Sequence, residues 1–162
     1  MKSSRLWRVL MSASVVLMLG VSAALAGAHF FTTSGSIDNS GALVVSWDEA
    51  GLGNGNVTYT LTTQATATYA CINGGGNHPK ATNKETVAGQ LNTGGSFQSK
   101  NGRVQGTLVT GPLSPGGFTC PSGQRMVLAC VSYADSTLTD TTNGVSTAIG
   151  DVSRTFVAIA GC

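Results

Sequence analysis

Val57-Thr58-Tyr59-Thr60-Leu61-Thr62 decides the fold, because apolar and hydroxyl side chains alternate through it without a break. A period of two puts Val57, Tyr59 and Leu61 on one face of an extended chain and the threonines on the other, the pattern of a half-buried β-strand. The alternation continues with Ala65, Ala67, Tyr69 and Cys71 on one side and Thr66 and Thr68 on the other. Runs rich in Thr, Val and Tyr favour strand over helix.

Upstream, residues 51–56 (GLGNGN) read as a loop. Before it, Leu43, Val45 and Trp47 alternate with Val44 and Ser46, and Asp38-Asn39-Ser40-Gly41 is a turn that joins this strand to residues 30–37 as a hairpin. Downstream, residues 73–83 (NGGGNHPKATN) form a long polar loop, 84–91 a weaker strand, and 92–95 a turn. Asn101-Gly102 suits a two-residue type I′ turn and predicts a hairpin of 97–100 with 103–109. Residues 111–123, with Pro112, Pro115 and Pro121, read as loop. The apolar run 125–133 predicts a central strand, 136–139 a short edge strand, Asn143-Gly144 a turn and 152–160 the closing strand. Seven to nine short strands with closely spaced turns predict an all-β, two-sheet antiparallel sandwich, immunoglobulin-like or related, with a closed barrel as the alternative. Trp47, Tyr59, Phe97 and Phe156 are expected to fill its core.

Residues 1–26 carry a basic start (Lys2, Arg5, Arg8), an apolar run and the exit Ala24-Leu25-Ala26, the pattern of a cleavable secretory signal. Ala26-Gly27-Ala28 offers an alternative end at residue 28. The expected mature chain, residues 27–162, is of the size of a single domain, secreted and free of the membrane after signal cleavage. The whole chain has nine Lys and Arg against seven Asp and Glu. Three of the bases leave with the signal, so six bases face seven acids and the net charge becomes about −1. No basic stripe remains to neutralise phosphates, which argues against a nucleic-acid partner.

The chain has four cysteines, Cys71, Cys120, Cys130 and Cys162. An even number in an exported chain predicts two disulfides. Cys71 and Cys120 each sit where an apolar run meets a Gly- or Pro-containing loop, whereas Cys130 lies within a strand and Cys162 closes another. Of the three pairings, this placement favours Cys71–Cys120 and Cys130–Cys162. Zinc is disfavoured by the lack of a Cys-x-x-Cys pair.

Catalytic constellations are missing. His29 and His78 are the two histidines, and no serine sits in a Gly-x-Ser-x-Gly elbow. Asp48 and Glu49 are adjacent and face opposite ways on a strand. Asp38, Glu85, Asp135, Asp140 and Asp151 read as solvated turn residues. The main expectation is therefore a secreted, non-enzymatic module without a cofactor. It would bind a ligand outside the cell, such as cell wall or polysaccharide, or form part of the cell exterior. Its candidate binding loop displays Asn73, Asn77, His78 and Lys80.

Three alternatives stay open. Cleavage after Ala28 would make His29 the N-terminal residue, whose amine and ring, with the His78 imidazole, would suit copper in a carrier or oxidase. That arrangement resembles the histidine brace of lytic polysaccharide monooxygenases and of certain exported copper carriers. Asp135, Asp140 and Asp151 would offer hard oxygen ligands to calcium. A small apolar ligand carried between the sheets would require an open apolar cleft.

Several segments together carry a resemblance: AHF at residues 28–30, GLGNGN, Cys71-Ile72-Asn73-Gly74-Gly75-Gly76-Asn77 followed by Pro79, Lys100-Asn101-Gly102, Cys120-Pro121, and Leu138-Thr139-Asp140-Thr141-Thr142. With these the chain resembles an uncharacterised group of small secreted proteins of actinobacteria and similar bacteria. The resemblance implies export and a bacterial source and carries no mechanism. In composition the chain also looks like the apoproteins of the neocarzinostatin kind, small two-disulfide sandwiches that hold an apolar ligand, although its cysteine spacings differ from theirs. Likeness of architecture alone assigns no function.

Overall fold

The computed structural model describes residues 27–73 and 83–162. The chain forms an all-β sandwich of two antiparallel sheets held by two disulfides. Its strands are β1 (His29–Ile37), β2 (Leu43–Ala50), β3 (Gly55–Asn73), β4 (Lys84–Ser99), β5 (Arg103–Thr110), β6 (Gln124–Asp140), β7 (Val145–Ile149) and β8 (Val152–Thr155). One sheet has the order β1-β2-β5, and the other β4-β3-β6-β7, with β8 paired to β6 beside β7.

The β1–β2 hairpin forms where the turn chemistry places it. Asp38 Oδ1 accepts the backbone N–H groups of Ser40 and Ala42 at 2.8 and 3.0 Å, and Gly41 takes the positive φ of 90° that closes the turn. From there Leu43, Val45 and Trp47 point inward to meet Val57, Tyr59, Leu61, Ala65 and Ala67 of β3 and Val131, Tyr133 and Leu138 of β6. These residues form one core between the sheets. The aromatic rings of Trp47 and Tyr59 lie 4.7 Å apart within it, with Phe97 partly buried at its rim.

Four sequence expectations are corrected. Residues 92–95 do not turn; β4 runs straight through them, with Gly94 and Gly95 paired to Thr60 and Tyr59. Glycine is needed there for close approach rather than for a bend, since a Cβ on Gly94 would stand 2.7 Å from the Tyr59 carbonyl oxygen. The Asn101-Gly102 turn has the expected positive φ values of 53° and 73°. Its flanking strands nevertheless part after the Lys100–Arg103 bridge, β4 joining β3 in one sheet and β5 joining β2 in the other. The turn is thus a corner between sheets. Residues 136–139 are no edge strand but the second half of β6, which lies between β3 and β7. Asp135, at φ 51°, marks where β6 exchanges partners from β8 to β7, so a single residue in the left-handed region gives a turn-like signal inside a long strand. The closing strand ends at Thr155, after which the N–H groups of Phe156 and Val157 both donate to the Ala129 carbonyl and bend the chain away.

Cys71 pairs with Cys120, tying the end of β3 to the connection before β6, and Cys130 pairs with Cys162, tying β6 to the chain's last residue. Among the described residues no helix is long and apolar enough to cross a membrane.

Tyr133 shows how the turn and core are joined. Its hydroxyl, buried with the ring, donates to the Gly41 carbonyl at 2.7 Å, and burial pushes its pKa up to about 12. Tyr133→Phe leaves that carbonyl without its partner and is expected to destabilise the domain by about 1–3 kcal/mol in chemical denaturation.

Candidate functional site

The alternation of β2 sends two adjacent acids to opposite faces of its sheet. Asp48 points outward and Glu49 inward, and each organises a different set of residues.

On the outer face, Asp48 receives a bidentate pair of hydrogen bonds from Arg103 Nε and Nη2, and a third from Gln105 Nε2 at 2.9 Å. The register makes this possible: Gln105 lies directly opposite Asp48, and Arg103 opposite Ala50, one diagonal step away. The Arg103 and Gln105 bonds hold Asp48 below the ordinary carboxylate range. Ser46 and Thr107, also opposite one another, share a hydroxyl hydrogen bond of 3.0 Å.

A β-bulge in β1 completes this face. Phe30 pairs with Glu49 and Thr32 with Asp48, leaving Phe31 as the extra residue. The bulge turns its ring into solvent, where it is 67% exposed, and the Arg103 guanidinium sits 5.5 Å from the ring centre. Two adjoining depressions border the cluster. The first, of about 620 Å³, is lined by Phe97, Gln98, Lys100, Arg103 and Gln105. The second, of about 440 Å³, is lined by residues including Thr32, Trp47, Asp48, Gly106 and Thr107, and shares Phe97 and Gln105 with the first. The Trp47 indole packs against Gly106, where any Cβ would collide with the ring.

On the inner face, Glu49 is fully buried and neither carboxylate oxygen has a hydrogen-bond partner. Burial raises its pKa, an effect opposed by the nearby Tyr59 hydroxyl and reinforced by the charge of Asp140. Tyr59 and Asp140 are directly opposite each other on β3 and β6, and both are fully buried. Asp140 is thus not the solvated turn residue that its sequence context suggests. Its Oδ1 accepts the N–H groups of Thr142 and Asn143 at 2.8 and 3.0 Å, and its Oδ2 accepts Asn143 Nδ2 at 2.6 Å.

Asp140 is also separated from the other proposed calcium ligands. Asp135 and Asp151 stay together, joined by an Asp135 N–H to Asp151 Oδ1 contact of 3.3 Å, whereas Asp140 lies inside, opposite Tyr59. Among the described residues no group of three His, Cys, Asp or Glu side chains is placed to hold a metal ion. His29 is exposed at the start of β1, with Nδ1 2.8 Å from the Gly27 carbonyl oxygen. Asn73 is exposed at the end of β3. Asn77, His78 and Lys80 lie outside the described residues, so the proposed recognition loop and the second copper ligand do too.

Sequence reasoning missed both constellations. Strand alternation separates Asp48 from Glu49, but Arg103, Gln105, Tyr59 and Asp140 reach them only through register with strands far along the chain. The one local signal was the doublet Phe30-Phe31, where a strand of period two cannot bury both rings. No family model, curated protein or solved structure matches the chain.

Proposed function

We propose that this protein is an exported, non-catalytic module that binds polysaccharide, such as cell-wall glycan, along the outer face of its three-stranded sheet. The observation that carries the reading is the Phe31 ring, turned outward by a bulge beside Arg103, Asp48 and Gln105, which already hold one another in place. A sugar ring offers an apolar C–H face and a rim of hydroxyls that both donate and accept. An exposed aromatic ring suits the first. Fixed guanidinium, carboxylate and amide groups suit the second, and they lose little freedom on binding. The adjoining depressions are shallow and partly polar, as an extended chain requires, and the space between the sheets is filled by the core side chains. Export is supported by the signal-like pattern of residues 1–26 and by the two cystines, which suit an oxidising compartment.

Pull-down on insoluble cell-wall and polysaccharide preparations tests the reading. The wild-type protein is expected to be retained on one of them. Phe31→Ala, which removes an exposed ring and leaves the core intact, should weaken retention about fivefold or more, as loss of an aromatic anchor does. Gln105→Ala should weaken it less. Failure of the wild-type protein to bind any preparation, or binding that ignores both substitutions, would contradict the proposal.

A further inference from the structure

Glu49 is the least expected side chain in the molecule. It projects from β2 into the space between the sheets, fully buried, with both carboxylate oxygens unpaired. An ionised carboxylate in that position has no hydrogen bond, and the nearby Tyr59 and His29 oppose only part of the cost of burial. The groups around it decide what it does instead. From the facing sheet come Tyr59 on β3, whose hydroxyl has no other partner, and Asp140 on β6. Asp140 spends its hydrogen-bonding on the turn that follows β6: two backbone N–H groups and the Asn143 amide all donate to it. A buried acid without donors therefore lies near a buried acid that has three.

The other elements contribute little charge. The exception is His29, which is opposite Ala50 at the start of β1 and favours the charged form of Glu49. β5 presents Val104 opposite Glu49, and its Arg103 is committed to Asp48 on the other face. The charged residues of β4, Lys84 and Glu85, pair with Ala70 and Tyr69 at the far end of the sheet. β7 has no ionisable residue, and Arg154 of β8 is bound to the carbonyls of Ile37 and Asp38.

We infer that Glu49 holds a proton within the folded protein and turns it toward Asp140 on the facing sheet, so that this proton latches the two sheets together at this end of the sandwich. The Tyr59 hydroxyl, also buried and unpaired, faces the same space. An acid buried without donors behaves in this way. The latch is independent of the polysaccharide proposal, because it lies on the opposite face of the sheet.

Stability should then depend on pH with a definite sign. Glu49 has a raised pKa in the folded state, so its contribution is complete below the ordinary value of 4.5 and is lost as pH rises through the raised value. Within that interval the folding equilibrium constant should fall about tenfold per pH unit, the signature of one proton. Asp38 and Asp48 have lowered values, so their contributions change below 3.8 and leave this window clear.

Thermal melts of the disulfide-intact protein from pH 5 to 9 test the inference against Glu49→Gln, which keeps the shape and polarity of the protonated acid. The wild type should lose melting temperature as pH rises, and Glu49→Gln should flatten that loss. Infrared spectra of the wild type at neutral pH should show the carbonyl stretch of a protonated carboxyl, and this measurement stands even if the variant fails to fold. Parallel pH profiles for the two proteins, or absence of that band, would overturn the inference. So would a rise in wild-type stability on adding calcium at pH 8, since a cation would then occupy the place of the proton.

Discussion

Replacing Cys71 and Cys120 together by alanine is expected to destabilise the domain by about 4 kcal/mol, from the loop-closure entropy that the cross-link removes from the unfolded chain. The two residues are 49 apart in sequence, against 32 for Cys130 and Cys162, so the second pair should contribute slightly less. Both effects are large beside the total stability of a single domain, roughly 5–15 kcal/mol. Chemical denaturation under non-reducing conditions measures them. The double variant should unfold at clearly lower denaturant concentration. A change below about 1 kcal/mol would show that the unfolded chain gains no freedom when the bond is removed, contrary to the entropic account.

Trp47→Ala is the second large effect, at about 3–5 kcal/mol. The indole is 4% exposed, lies 4.7 Å from the Tyr59 ring and 5.0 Å from the Phe97 ring, and rests on Gly106. Its removal leaves a cavity that none of these neighbours can close, because β3, β4 and β5 are held in register by their ladders. Near-ultraviolet circular dichroism should lose most of its aromatic signal, and the melting temperature should fall steeply. Phe31→Ala provides the contrast: that ring is solvent-exposed, and its loss should move stability by less than about 0.5 kcal/mol. A Trp47→Ala variant as stable as Phe31→Ala would mean that the core is not packed around the indole.

How much of this was legible in the sequence depends on the range over which each signal acts. The period-two stretch through Tyr59 and Leu61 foretold β3, because alternation is written in neighbouring residues. The Asp38 turn was legible for the same reason: its hydrogen bonds span at most four residues. Asn101-Gly102 specifies a turn but not a ladder hairpin. The dipeptide sets backbone angles, whereas the choice of sheet is made by pairing with β2 and β3. The burial of Asp140 is hidden because an Asp-Thr-Thr-Asn run is ordinary turn chemistry. The carboxylate does cap that turn, but its burial follows from the registration of β6 against β3 over a separation of 81 residues. The outer-face cluster was hidden likewise, since nothing local links Asp48 to Arg103.

That long separation also bears on how the chain reaches its final form. β3 and β4 adjoin in sequence and can zip together early, while β6 must be recruited across everything that lies between. Contacts of this kind set the pace of assembly in β-rich domains. Cys120 lies four residues ahead of β6, and Cys71 is the register partner of Met126. Once the sulfurs join, the incoming strand is delivered beside its template and the conformational search is shortened to a local alignment. A cross-link made at that stage would thereby fix the order of assembly.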